Sequence, residues 1–197
     1  IGLKAFKATN IKELVIPASV KKVEGSAFAY CPNLTKVTFA ASNMELIEGC
    51  FAGCHKLQSV TFPASLTRDM TYDMFRDCPM LTTVTLPKNL RTVPQQMFSG
   101  CKSLRKIDLP ATVTKIDGHA FSGCPITDLV ITNVTEVDDS SFMGCKSLKT
   151  ITINKTLRDK LIADNYWLYT TNFSDNPSLQ LVVKNGQVSL PAGVKVQ

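Results

Sequence analysis

Long apolar runs are missing from this 197-residue chain, whose hydrophobic stretches last only a few positions. That excludes a membrane-spanning helix, which needs about 20 consecutive apolar residues. Histidine is scarce: His55 and His119 stand far apart, with no nucleophile or metal ligand at useful spacing, and both read as solvated turn residues. The seven cysteines contain no CxxC pair, the spacing a zinc or redox site would favour. Aromatic residues make up 8% with a single tryptophan, and the 22 Lys and Arg are dispersed although the net charge is +6. A nucleic-acid track combines a continuous basic stripe with stacking rings. Here the densest group, Lys102, Arg105 and Lys106, meets Pro125 and Asp128 before any continuation at Lys146 and Lys149. No acidic pair, Asp138-Asp139 included, sits in a spaced oxygen-rich loop of the calcium type. A basic, then apolar leader is also lacking, and the chain opens on Ile1 inside a repeat, so it is expected to be a fragment or a processed form.

What is present is a period. Phe6, Phe28, Phe51, Phe75, Phe98, Phe121 and Phe142 follow one another at 22, 23, 24, 23, 23 and 21 residues, by subtraction of their numbers. A fixed interval in this range is the mark of a solenoid, in which each unit buries its apolar face only against its neighbours. The clearest copy is FSGCKSLRKIDLP, from Phe98 to Pro110. Six cysteines, Cys31, Cys54, Cys78, Cys101, Cys124 and Cys145, fall three residues after a phenylalanine, where small apolar side chains would stack coil on coil. They are expected to be reduced core thiols. The residue before each Phe is small or apolar except at Ser141.

Within each unit, a stretch such as Leu104 to Leu109 alternates apolar and polar residues, the signature of a strand with one buried face. The proline that usually follows cannot donate to a ladder and marks the strand's end. Apolar residues three and six positions later, such as Val113 and Ile116 after Pro110, are expected to point inward on the return path; in the second unit the residues assigned to this role are Met44 and Ile47, four and seven positions after Ala40. After Ile153 the rhythm breaks, and Lys155 to Tyr169 carries helical spacing. It resumes at Phe173, Asn176, Leu179 and Val182, 31 residues beyond Phe142. The expected organisation is one domain over 1–197: regular repeats over 1–153, then an aromatic insertion, a divergent last repeat and a C-terminal cap over 154–197. The fold expected is an α/β solenoid of seven to eight coils of 21–24 residues with a parallel sheet.

Alternation also names the outward strand positions. One column is Glu13, Lys36, Ser59, Thr83, Lys106, Asp128 and Thr150; the next is Val15, Thr38, Thr61, Thr85, Asp108, Val130 and Thr152. Lys36, Thr38, Thr61, Thr83, Thr85, Lys106 and Asp108 are the candidate ligand-binding positions there, although Thr is also simply suited to a solvated strand. Tyr166, Trp167 and Tyr169 form the richest aromatic group. Such residues serve at interface hot spots, and they would equally cover the apolar end of a solenoid. No catalytic residue, metal ligand or cofactor site is expected.

With Phe, Cys, Leu, Val or Ile, and Leu-Pro in place, the unit resembles the leucine-rich repeats of the BspA-like family of bacterial surface proteins, also seen in treponemal leucine-rich repeat proteins. The resemblance implies a right-handed superhelix with its sheet on the concave face. It also implies a secreted or cell-surface location, and a non-catalytic role in recognition or adhesion toward an extracellular protein or glycan, acting as a monomer. Departures are the short turns of the first and sixth units and the missing Pro at Ala40, Thr132 and Asn154. The alternative is a substrate-docking or spacer domain of a larger, possibly enzymatic, surface protein.

Overall fold

Two residues before and two after the phenylalanines of the period, the backbone passes through positive φ, except at Ser140 before Phe142. Lys4 and Ala8 flank Phe6, Ser26 and Tyr30 flank Phe28, Gly49 and Gly53 flank Phe51, and Asp73 and Asp77 flank Phe75. Gln96 and Gly100, then His119 and Gly123, do the same for Phe98 and Phe121, and Gly144 follows Phe142. A non-glycine side chain pays a steric penalty in this region. The arc nevertheless persists because neighbouring coils bond it into place. The amide of each phenylalanine donates to the carbonyl of the residue before the next one: Phe28 to Cys50 at 2.9 Å, Phe51 to Met74 at 3.1 Å, Phe75 to Met97 at 3.0 Å, Phe98 to Ala120 at 2.8 Å and Phe121 to Ser141 at 2.9 Å. Gly53 shows why glycine recurs: its φ is +68°, and a Cβ there would lie 2.5 Å from Cδ1 of Tyr30.

The computed structural model describes residues 1–40, 44–64, 66, 70–163 and 179–183. Its elements in order are β1 (Glu13–Ile16), β2 (Lys22–Val23), β3 (Lys36–Phe39), β4 (Glu45–Leu46), β5 (Ser59–Thr61), β6 (Thr83–Thr85), β7 (Thr92–Val93), β8 (Lys115–Ile116), β9 (Asp128–Ile131), β10 (Glu136–Val137), β11 (Thr150–Ile153), α1 (Lys155–Ala163) and β12 (Gln180–Val183). All strand pairs are parallel. The expected parallel solenoid is therefore the fold, with α1 its one helix among the described residues and its return arcs made of turns and two-residue strands. The principal strands form two sheets, β1-β3-β5-β6 and β9-β11-β12, while β2-β4 and β7-β8-β10 pair along a second side.

The core is a set of columns. The six phenylalanines of the period from Phe28 to Phe142 are buried, as are Phe39 and Phe62, and Phe6 at the first coil is 41% exposed because only one side of its ring is covered. Successive rings stack with centroids 5.2 to 5.9 Å apart and planes within 18°, a geometry worth about 0.5–1.5 kcal/mol per pair beyond the area buried.

The cysteine column does more than fill space. Each thiol donates to the carbonyl of the phenylalanine one coil back: Cys31 to Phe6, Cys54 to Phe28, Cys78 to Phe51, Cys101 to Phe75, Cys124 to Phe98 and Cys145 to Phe121, at 3.1 to 3.3 Å. All seven cysteines are free and buried. Cys50 lies outside that column, beside Phe51, and its thiol faces the carbonyls of Ile47, Val23 and Glu24. Ser141 holds the same place before Phe142 and donates to Ile116 at 3.3 Å and Asp117 at 3.1 Å. The one polar residue of the crowded position is thus satisfied, as a buried hydroxyl must be.

Three expectations are corrected. In the second unit Leu46, not Ile47, is the inward residue, buried at 3% and in register with Val23. In the last unit Val182 pairs with Thr152 and is 40% exposed, so Leu181 takes the place across from Ile151. Both errors are one-residue slips inside runs of adjacent apolar residues, where alternation gives no phase. The third concerns the clearest copy of the repeat: the segment 105–109 forms no strand. The helix predicted over Lys155 to Tyr169 is present through Ala163. Its start is fixed by Asn154, whose Oδ1 accepts from the Leu157 amide at 2.7 Å while Nδ2 donates to the Thr132 and Val134 carbonyls. Tyr166, Trp167, Tyr169, Phe173 and Asn176, and the terminal cap, lie outside the described residues.

Candidate recognition face and cleft

Because strand side chains alternate, the parallel register brings the outward residues of successive coils side by side. Lys36 stands between Glu13 and Ser59, and Ser59 is next to Thr83. Thr38 lies between Val15 and Thr61, and Thr61 is next to Thr85. Five of the candidate residues, Lys36, Thr38, Thr61, Thr83 and Thr85, therefore share one face of one four-stranded sheet. The face is mixed in character, with Val15 65% exposed at its edge.

Lys106 and Asp108 are placed differently. They project from the unpaired segment 105–109, are both strongly exposed, and form an ion pair with each other at 3.3 Å. Pairing with the four-stranded face stops before them. Beside this segment lies a cleft of about 450 Å³, bounded on its far side by β9 and the residues after it. Lys106, Asp108, Asp128 and Val130 line its outer part, and Ile107, Leu109, Ile131 and Val134 its inner part. Asp128 accepts a hydrogen bond from the Thr150 hydroxyl, and that bond, first among the influences on it, holds its carboxyl below the usual value. Sequence reading missed the cleft. The available signal was length: the Phe121 to Phe142 interval is 21 residues against 23 for the coil before it, by subtraction.

His55 is exposed on a turn, and His119 is half-buried at a positive-φ position. Among the described residues, no group of three or more His, Cys, Asp or Glu is arranged to hold a metal ion, and no helix is long and apolar enough to cross a membrane. Burial raises the thiols of Cys50, Cys78 and Cys145 to about 12, far from the thiolate a nucleophile requires. A shared hydrogen bond raises Cys54 and lowers Cys31.

The sequence pattern described as the BspA type leucine rich repeat region matches in six copies, over residues 1–72 and 68–177. Among solved structures, a leucine-rich repeat protein from Bacteroides ovatus superposes with a TM-score of 0.79 at 23% identity, covering 92% of this chain and 44% of its own. A leucine-rich repeat protein of T. pallidum gives 0.61 at 24% identity, covering 77% and 82%. A leucine rich cell surface protein from Faecalibacterium prausnitzii gives 0.55 at 27% identity, covering 73% and 48%. The chain thus spans less than half the length of the first and third of these. Among curated proteins, none matches the sequence.

Proposed function

We propose, for a chain that belongs to the family of BspA type leucine rich repeat proteins, the role of a non-catalytic recognition module displayed outside the cell. It would bind an extracellular protein or glycan through the outward columns of its principal sheet. The observation that carries this reading is the register that assembles Lys36, Thr38, Thr61, Thr83 and Thr85 on one face. Short hydroxyl side chains there leave the β-surface open to a partner, and the coils beneath, bonded along their other sides, hold it rigid. Solenoid surfaces of this kind are extended binding faces. The cell-surface description of the F. prausnitzii relative supports the location. Catalysis requires positioned acid, base or nucleophile groups, and the thiols are instead buried and spent on backbone carbonyls.

A second reading, a docking or spacer domain of a larger protein, is favoured by the chain spanning 44% of the B. ovatus protein. The test is binding of the 197-residue chain to a panel of extracellular-matrix proteins and glycans at physiological salt. Two variants accompany it: Thr38→Lys with Thr61→Lys, and Trp167→Ala with Tyr169→Ala. Saturable binding weakened about tenfold or more by the first pair supports the sheet face. Loss in the second pair alone moves recognition to the aromatic insertion, and an empty panel favours the spacer.

A further inference from the structure

We propose that the break in the sheet at the fifth coil is a built receptor for an extended peptide segment of a protein partner, which adds its backbone to the open edge of β9. This rests on the reading of the solenoid as a protein-recognition module and names where and how it would bind.

The opening is local. The fifth coil is bonded to both neighbours on its other sides. Phe98 stacks on Phe75 at 5.8 Å and on Phe121 at 5.5 Å, the Gly100 amide reaches the Ser122 carbonyl at 2.9 Å, and β8 pairs with both β7 and β10. On the strand side, by contrast, Thr127 donates to the Arg105 carbonyl at 3.3 Å and the ladder then stops. Among the described residues, the amides and carbonyls of 106–109 make no hydrogen bond, and β9 is paired only with β11. The opening coincides with a change in coil length. The sixth coil is one residue short between Cys124 and Ile126, against Cys101 to Leu104, and one short between Ile131 and Val134, against Leu109 to Val113. The shorter coil still pairs with the seventh over four residues, β9 with β11, so the open edge of β9 is the one that faces the fifth coil.

The chemistry of the opening selects its occupant. An unpaired strand edge is a template for another chain, and peptide capture by strand addition draws affinity from main-chain hydrogen bonds and specificity from pockets for alternate side chains. Here half-buried Leu109, with Ile107, Ile131 and Val134 behind it, makes an apolar floor for such a side chain. Its counterparts Leu86 and Ile131 in the flanking coils are 7% and 2% exposed. None of the lining residues is aromatic, so a sugar would find no ring to stack on. Arg105 and Lys106 are balanced by Asp108 and Asp128, so the rim offers a polyanion no net charge. A volume of about 450 Å³ lies within the usual range of ligand pockets and suits a few residues rather than a folded domain.

Two measurements on the 197-residue chain test this. In hydrogen exchange, the amides of 106–109 should exchange far faster than those of β3 and β5; equal protection would show that the ladder is closed and overturn the proposal. A displayed library of linear nonapeptides should then yield binders that Val130→Arg weakens about tenfold or more. Val15→Arg, at a position of equal exposure in the same column, should leave them unchanged. N-methylation of alternate peptide amides should abolish binding in one phase and spare it in the other, and the bound peptide should protect β9 amides. Binders indifferent to Val130→Arg, or no binders while the matrix panel responds to the Thr38 and Thr61 variants, would remove the cleft and leave recognition by the sheet standing. Failure of both the library and the panel would remove the recognition reading itself, and glycan hits sensitive to Val130→Arg would overturn the peptide assignment.

Discussion

Raising the pH from about 8 to about 10 should cost this fold much of its stability, because its core is lined with thiols. Cys50, Cys78, Cys101, Cys124 and Cys145 are buried. Desolvation, the largest influence on each, lifts them from the ordinary 9.0 to about 12 for Cys50, Cys78 and Cys145, and well above 9.0 for Cys101 and Cys124. Below about pH 8, folded and unfolded thiols are both protonated and nothing is lost. Above about pH 9 the unfolded thiols ionise while the folded ones keep their protons, so stability falls as pH rises, by about 1.4 kcal/mol per thiol per pH unit. Five thiols together forfeit about 7 kcal/mol between pH 8 and pH 10, against a total of about 5–15 kcal/mol for a typical domain. The assay is urea unfolding followed by far-ultraviolet circular dichroism across this range, with a phosphine reductant present to prevent oxidation. Cys101→Ala should lessen the loss between pH 8 and pH 10 by about 1.4 kcal/mol. Stability that changes by less than about 1 kcal/mol over the window would refute the buried-thiol ladder.

Phe98→Ala should lower the unfolding free energy by about 3–5 kcal/mol, since it empties the middle of the ring column, and a loss below about 1 kcal/mol in denaturant titration would contradict that burial. Ser141→Ala should cost about 0.5–1.5 kcal/mol by removing the hydroxyl's bonds to the Ile116 and Asp117 carbonyls, which keep the backbone bonds from the Asp138 and Ala120 amides. Ser141→Cys should be milder, since Cys50, four coils earlier, faces the equivalent carbonyls of Val23 and Glu24; thermal melts of the two variants give the comparison. Asn154→Ala should cost about 1–2 kcal/mol through loss of the helix cap and reduce the circular dichroism signal of α1; an unchanged spectrum would show that the cap is dispensable.

Much of the fold was legible because the repeat states it many times over. Each phenylalanine, cysteine and strand valine or isoleucine is an independent vote for the same coil, so one ambiguous copy is outvoted by its neighbours. Legibility failed where a copy lost its phase. Leu46-Ile47 and Leu181-Val182-Val183 are runs of adjacent apolar residues, and it is the pairing with Val23 and with Ile151 that gives their register. The left-handed positions at two residues either side of the phenylalanines of the period were equally hidden. Ser26, Asp73, Gln96, His119 and several glycines share no side-chain type; what they share is a backbone conformation imposed by coil-to-coil hydrogen bonds.

The candidate surface divides in the same way. Alternation alone identified the outward columns, and the register set Lys36, Thr38, Thr61, Thr83 and Thr85 beside one another. It could not reveal that Lys106 and Asp108, in the most regular copy of the repeat, belong to a segment without strand partners. A motif reports how a unit packs on an average neighbour, whereas pairing requires the amides and carbonyls of two particular coils to come within bonding distance. The sequence by itself determined the solenoid, its buried columns and the identity of its outward residues, because those follow from periodicity and burial. Only the tertiary structure decided where the sheet stays continuous and where it opens, because that depends on how closely the backbones of adjacent coils approach, which no side-chain pattern records.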